Sequence, residues 1–407
     1  MIEYLNEITK IKALAGSPGK KAGAGMTGLQ HAELAVRFHT TMPGYRVTPL
    51  AKLDQLAKSF GIAGIYVKDE SCRFGLNAFK VLGGAFAIAS LLAEKLGMDI
   101  SRVSFDMLRS GEVRSRLGDA VFVTATDGNH GRGVAWTAEK LGFRSVVYLP
   151  KGAAAARVDA IREAGAEVIV TDLNYDDAVR LAARMAEEKG WWLVQDTAFE
   201  GYEKVPAWIM QGYTTMAAEA VEQLRLYGEQ RPTHVFLQAG VGSMAGAVLG
   251  YLVNRYGADY PATIIVEPEN AACIYKSAGS EDKKLCKAEG SLETIMAGLA
   301  CGEPCPIAWE ILRDYSDYYC TCPDYVAAKG MRILANPLGN DPKVVSGESG
   351  AVGAGLLAIL MQNRELAAMR DSFGLDEKSV VLLFSTEGNT DPGNYRDVVW
   401  DGKYPSV

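Results

Sequence analysis

Val121-Phe122-Val123-Thr124-Ala125-Thr126-Asp127-Gly128-Asn129-His130-Gly131-Arg132-Gly133-Val134-Ala135 is the stretch on which the fold turns. Its first five residues are apolar or β-branched and predict a buried strand over 121–125. A polar, glycine-bearing turn follows, and then the spacing of apolar residues predicts a helix over 131–141. Parallel strands need a crossover of a dozen or more residues, usually a helix, so a strand that feeds a helix points to a parallel sheet. Working outward, the pattern repeats as strand 145–149, helix 154–164 closed by Gly165, strand 168–171, helix 175–189 closed by Gly190, and strand 191–195. A second series follows: helix 205–227, strand 233–238, helix 243–255, strand 263–267, helix 270–278, helix 351–362 and strand 379–384. Towards the N-terminus a helix over 50–60 and a strand over 65–68 are expected. The chain therefore reads as two α/β units, one inserted in the other, with an irregular segment over about 280–322.

Composition fits that reading. The chain has 407 residues, 48% hydrophobic and 22% charged, enough for two or three domains with cores that need no disulfide or metal. A net charge of −7 argues against a nucleic-acid partner. Apolar runs such as 350–361 fall short of the roughly 20 residues that cross a bilayer. The opening Met1-Ile2-Glu3-Tyr4 lacks a signal-peptide pattern, so a cytoplasmic chain with no membrane partner is expected. Of the seven cysteines, Cys286, Cys301, Cys305, Cys320 and Cys322 cluster, with Cys273 just before them. Cys320-x-Cys322 and Cys301-x-x-x-Cys305 could be zinc half-sites, but His31, His39, His130 and His234 all lie elsewhere. Reduced thiols are the expectation, a local disulfide the alternative, and no metal site is assigned. Glycine is in excess, with 43 residues, and much of it is expected where backbone approaches an anion or turns sharply.

In open α/β sheets ligands sit beyond the carboxyl ends of strands, which directs attention to the loops there. Gln238-Ala239-Gly240-Val241-Gly242-Ser243-Met244-Ala245 joins a strand to a helix and reads as a phosphate cup. It also fits the dinucleotide fingerprint, with Glu267 ending the next strand as a ribose partner, or it is simply a tight turn. Lys80 is alone in an uncharged stretch over 75–92. It is either a lysine with a buried stem and a wet amine, or a desolvated amine able to form a Schiff base. The loop over 124–133 suits a carboxylate, with Asp127 also readable as a helix N-cap. Ser385-Thr386-Glu387-Gly388-Asn389 ends the last strand, its hydroxyls placed to meet a ligand or to cap a turn.

In this order, the motifs resemble the fold-type II, tryptophan synthase β-like family of pyridoxal-phosphate enzymes, which includes serine and threonine dehydratases. The resemblance runs from about residue 44 to 390. Phe79-Lys80 with Gly84-Ala85 matches the lysine motif, Gly128-Asn129-His130 the asparagine loop, Gly240-Val241-Gly242-Ser243-Met244 the phosphate loop, and Thr386-Glu387-Gly388-Asn389 the closing motif. Thr294-Ile295-Met296-Ala297-Gly298-Leu299-Ala300 and Glu348-Ser349-Gly350-Ala351 are also similar to family segments. Two residues depart from the dehydratases: Asp127 stands in place of their serine and Leu82 in place of their arginine. Asp127-Gly128-Asn129-His130-Gly131-Arg132-Gly133-Val134-Ala135-Trp136 and Gln195-Asp196-Thr197-Ala198-Phe199-Glu200-Gly201-Tyr202 resemble the diaminopropionate ammonia-lyase branch.

The resemblance implies two open, twisted, mostly parallel α/β sheets, with a small domain over 86–205 inserted in a large one made of 1–85 and 206–407. It implies pyridoxal phosphate on Lys80, with Asn129 at the phenolic oxygen, Gly240, Val241, Gly242, Ser243 and Met244 at the phosphate, and Thr386 at the pyridine nitrogen. A hydroxyl there would leave that nitrogen largely unprotonated. Asp127, Gly128, Asn129, His130 and Asp196 would bind substrate, and Lys80, Asp127 and Asp196 would be catalytic. Asp127 would serve the D form and Asp196 the L form. The implied activity is elimination of 2,3-diaminopropionate to pyruvate and two ammonia by a homodimer. The alternatives are a serine or threonine dehydratase and, from another class, a nicotinamide-dependent oxidoreductase.

Overall fold

The computed structural model describes residues 3–5, 9–19, 25–126 and 128–406. Its strands in chain order are β1 (Glu3–Leu5), β2 (Lys12–Ala15), β3 (Leu50–Lys52), β4 (Gly64–Asp69), β5 (Val121–Ala125), β6 (Arg144–Leu149), β7 (Glu167–Val170), β8 (Trp192–Leu193), β9 (His234–Gln238), β10 (Ala262–Pro268), β11 (Tyr318–Cys322) and β12 (Val380–Ser385). Contacts divide the chain into a larger unit, Met1–Ala24, Thr48–Cys72 and Met216–Val407, and a smaller unit, Gly25–Val47 and Arg73–Thr215. Residues 73–85, Lys80 among them, thus pack with the smaller unit, as do residues 25–47.

The larger unit holds an eight-stranded sheet ordered β1-β2-β11-β10-β9-β12-β4-β3. The five strands from β11 to β4 run parallel, and β2 and β3 close them antiparallel on either side. Every residue of β9 and β12 is buried, the pattern expected when helices cover both faces. The helices Asp324–Ala335 and Glu348–Gln362 meet backbone to backbone in this unit. A Cβ on Gly355 would lie 1.9 Å from the carbonyl oxygen of Val326, and one on Gly330 would lie 2.0 Å from that of Ala351.

The smaller unit holds the parallel sheet β7-β6-β5-β8. The helix Val81–Leu96 is buried along nearly its whole length, which explains why it carries no charge before Glu94. Small residues let its neighbours come close. A Cβ on Gly83 would meet the Tyr213 ring at 2.4 Å, and one on Gly133 would lie 2.7 Å from the Val81 Cα. His39 fixes the same region, with Nε2 at 2.9 Å from the Leu82 carbonyl and Nδ1 at 2.8 Å from Thr215 Oγ1. Gly133 therefore serves packing, and so does Gly131, where a Cβ would lie 2.4 Å from Thr126 Cγ2.

Other expectations also change. Residues 50–52 form β3, and the helix starts only at Asp54. The cause is tertiary: Asp341, far along the chain, accepts the Gln55 and Leu56 N–H groups at 2.8 and 2.9 Å and caps the helix there. The segment read as irregular over 280–322 contains the helix Pro306–Tyr315 and β11, whose Tyr-Tyr-Cys-Thr-Cys run pairs with β10. Cys320 and Cys322 are fully buried strand residues, and all seven cysteines are free thiols. The strand expected over 191–195 is reduced to two residues in β8. Helices Leu29–Thr40 and Asp324–Ala335 have no counterpart in the sequence reading. Among the described residues no helix is long and apolar enough to cross a membrane.

Candidate active site

Lys80 occupies the capping position before the helix Val81–Leu96, so its side chain leaves from the start of a buried helix. Nζ lies 2.8 Å from Asp196 Oδ2, and the lysine side chain is 18% exposed against 3% for the aspartate. This is a nearly buried amine with a charged partner, and not the snorkelling lysine that the sequence also allowed.

Asp196 follows β8 and gathers four groups. Besides Lys80, its Oδ1 accepts from Tyr175 Oη at 3.2 Å and from Gln195 Nε2 at 3.1 Å, while His130 Nδ1 lies 3.9 Å from Oδ2. Burial would raise the carboxyl pKa. The nearby His130 and Lys80 charges, with the Lys80 and Tyr175 hydrogen bonds, outweigh it and hold the group well below the usual carboxylate range. Gln195 acts as a rivet between strand ends. Its Oε1 accepts from Thr124 Oγ1 at 3.0 Å and from the Ala125 N–H at 2.9 Å, and its own N–H donates to Tyr202 Oη at 2.9 Å. His130 Nε2 donates to the Val194 carbonyl at 2.7 Å, which turns Nδ1 towards Asp196.

The turn after β5 differs from its sequence reading. Asp127 lies outside the described residues, and the capping position falls on Gly128, at φ +154°, a backbone that L side chains rarely adopt. Thr126 supplies the side-chain cap: its Oγ1 accepts the Gly128 N–H at 2.9 Å and the Gly131 N–H at 3.1 Å. Those two amides are therefore engaged, which narrows what this loop can offer a substrate carboxylate. Asn129 begins the helix Asn129–Leu141, one residue before His130.

In the larger unit, Gly240-Val241-Gly242 leads from β9 into the helix Ser243–Tyr256. Gly242 has φ +94° and caps that helix. A Cβ on Gly240 would meet Cys301 Sγ at 3.0 Å and the Gly298 carbonyl at 3.1 Å, so the segment 294–300 backs the loop closely. A glycine turn at the amino end of a long helix fits a phosphate, through its N–H groups and the helix dipole. Glu267 is not a ribose partner. It is fully buried, and its two oxygens accept the Ile274 and Tyr275 N–H groups at 2.8 and 2.6 Å, which starts the helix Cys273–Gly279. Burial pushes its carboxyl up to about 8. Thr386 follows β12 and is buried, its Oγ1 accepting from Gln238 Nε2 at 3.0 Å.

Lys80, His130 and Asp196 thus come together in the smaller unit, with Asn129 beside His130. Gly240, Val241, Gly242, Ser243, Met244 and Thr386 lie at the carboxyl ends of the neighbouring strands β9 and β12 of the larger unit. Within the larger unit the phosphate cup and the buried hydroxyl suit a phosphate-bearing heterocycle, and within the smaller unit the poised lysine suits a Schiff base, each the kind of group that pyridoxal phosphate takes. Sequence reasoning did not single out Tyr175, Thr126 or Gln238. Tyr175 opens a helix as an ordinary aromatic, and only folding brings it to Asp196.

A family model described as pyridoxal-phosphate dependent enzyme matches residues 41–385. The diaminopropionate ammonia-lyase of Escherichia coli (strain K12) is 56% identical over 374 residues, covering 92% of each chain. That of Salmonella typhimurium is 53% identical over 367 residues, covering 90% of this chain and 91% of the other. A crystal structure of the Escherichia coli lyase, in complex with an aminoacrylate-PLP azomethine reaction intermediate, superposes with a TM-score of 0.91. It is 52% identical and covers 98% of this chain and 99% of the other.

Proposed function

Because the chain belongs to the pyridoxal-phosphate dependent enzymes, in the diaminopropionate ammonia-lyase family, we propose that it eliminates 2,3-diaminopropionate to pyruvate and two ammonia. The observation that carries this reading is the Lys80–Asp196 pair at 2.8 Å, its carboxylate buried, set beside His130 and Tyr175. Pyridoxal phosphate, when bound, supplies the electron sink for the carbon that bears the α-amine.

The chain's own residues do the rest. Lys80 Nζ would hold the cofactor through its carbonyl carbon, Asn129 would meet its phenolic oxygen, Gly240 to Met244 its phosphate, and Thr386 its ring nitrogen. Substrate carboxylate is held by loop 127–131, apart from the Gly128 and Gly131 amides that Thr126 engages. The β-amine of the substrate is cationic near neutral pH, which a serine hydroxyl is not, so a carboxylate beside it selects the diamine. Asp196 stays anionic while Lys80 is charged, because its pKa is held so low. It becomes an effective base at Cα only when Lys80 is neutral, which couples the two groups. We assign Asp196 to the L form and Asp127 to the D form. We also read the protein as a cytoplasmic homodimer on family grounds, which sedimentation tests.

An assay of ammonia and pyruvate together tests the reaction. Diaminopropionate is expected to give two ammonia per pyruvate with a higher kcat/KM than serine. A higher value for serine would assign the chain to the dehydratases. Lys80→Ala is expected to lose the visible absorption of the lysine-linked cofactor, and persistence of that band would remove Lys80 from its role.

A further inference from the structure

Gln238 is the last residue of β9, and Thr386 is the first residue beyond β12; both are buried. Gln238 Nε2 lies 2.8 Å from the Phe384 carbonyl oxygen and 3.0 Å from Thr386 Oγ1. A carbonyl oxygen only accepts, so the amide atom facing Phe384 must be the nitrogen. That fixes the amide orientation, and it fixes the second bond as well. The same NH₂ group donates to Thr386, whose hydroxyl oxygen is therefore an acceptor within the protein. Its own hydrogen meets no acceptor among the described residues.

We infer that Gln238 is a positioning residue that turns the Thr386 hydroxyl into an obligate donor towards the cofactor's ring nitrogen, keeping that nitrogen unprotonated. The inference rests on the reading that Thr386 faces the ring nitrogen. If the nitrogen carried a proton, Thr386 would have to accept it and leave its own buried hydrogen without a partner. An unsatisfied buried donor is unfavourable, so the pair selects the unprotonated ring. Such a ring withdraws electrons weakly from Cα, which favours prompt departure of the β-amine over storage of charge. Gln238 touches neither substrate nor cofactor in this account and acts only through Thr386.

The experiment reads the ring nitrogen directly, by ¹⁵N NMR of holoenzyme loaded with pyridoxal phosphate labelled at that atom. In the unchanged protein the resonance is expected in the unprotonated, hydrogen-bonded range and insensitive to pH between about 6 and 8. Gln238→Glu offers Thr386 an acceptor and is expected to move the resonance towards the protonated range as pH falls. Gln238→Leu removes the donor and provides a second variant should the first load cofactor poorly. A resonance and pH response unchanged in both loaded variants would overturn the inference. Thr386→Val separates the two levels of the argument. If it moves the resonance and the Gln238 variants do not, the role of Gln238 fails alone. If Thr386→Val leaves the resonance unmoved, the assignment of Thr386 to the ring nitrogen fails, and the inference with it.

Discussion

At Asp196 burial and charge act in opposite directions, and charge wins. A carboxyl whose folded pKa is depressed contributes stability that is present above its unfolded value and is lost as pH falls through the folded one. The same depression makes it a weak base while Lys80 is charged, so enantiomer choice should divide between two carboxylates. Asp196→Asn is expected to lower L-diaminopropionate turnover by at least ~10²-fold, the low end for general acid–base catalysis, and to affect the D form less. Asp127→Ser should show the reverse selectivity, and equal losses on both enantiomers in both variants would refute the division. Glu267 presents the opposite sign. Its folded pKa is about 8 against an ordinary 4.5, so the folded state keeps a proton that the unfolded chain has released. The stability it contributes is fully present below the unfolded value and is lost as pH rises through the folded one. Urea unfolding is therefore expected to weaken by roughly a few kcal/mol from about pH 5 to 8, at ~1.4 kcal/mol per pKa unit. Glu267→Gln should flatten that slope, and an unchanged slope would show that another group sets it. Sequence could place Glu267 at a strand end but could not show that Ile274 and Tyr275 take both its oxygens.

At the scale of elements, the alternation from β5 to the helix Tyr175–Lys189 was readable because the strands there are largely apolar or β-branched and the helices between them are closed by glycines. The helix Tyr175–Lys189 ends at Gly190 in the left-handed conformation, as its glycine predicts. Elements set by distant partners were not readable, as with the Asp341 cap that delays the helix at Asp54 and leaves residues 50–52 to β3. Glycine was the most ambiguous residue. The excess included true left-handed turns such as Gly242, but also glycines at helix contacts, where the sequence signal is only a small residue. Gly355→Ala tests that second class. Its added methyl would collide with the Val326 carbonyl, backbone against backbone, so neither side can yield as a flexible side chain could. A loss of about 3 kcal/mol or more in unfolding free energy is expected, at the upper end for overpacking. A loss below about 1 kcal/mol would mean that the two helices can separate cheaply.

Across the whole molecule, the candidate site was readable as an ordered set of motifs, not as any single one. The loop 238–245 alone allowed a nicotinamide fingerprint; Lys80, Asn129 and Thr386 in their order weighed against that reading, and the buried Glu267, bound to the Ile274 and Tyr275 amides, removes its ribose partner. The supporting polar network was not readable, because its members are distant in sequence: Gln238 and Thr386 are 148 positions apart. No local pattern announces such a pair. The parallel strands that bring them together do, once β9 and β12 are known to be neighbours.

The short strand β2 has a practical consequence for anyone handling this protein. It lies antiparallel along β11, with Ala13 opposite Cys320 and Lys12 opposite Thr321. Removing the first 15 residues would bare a strand edge whose N–H and C=O groups then lack partners, an invitation to chain-to-chain pairing. It would also open a path for oxidants to two thiols that are now sealed from solvent. A preparation clipped at its N-terminus should aggregate, and a reductant should slow that only in part. Light scattering of clipped and intact protein, with and without dithiothreitol, separates the two routes. Equal scattering from both would show that β2 guards neither edge nor thiol.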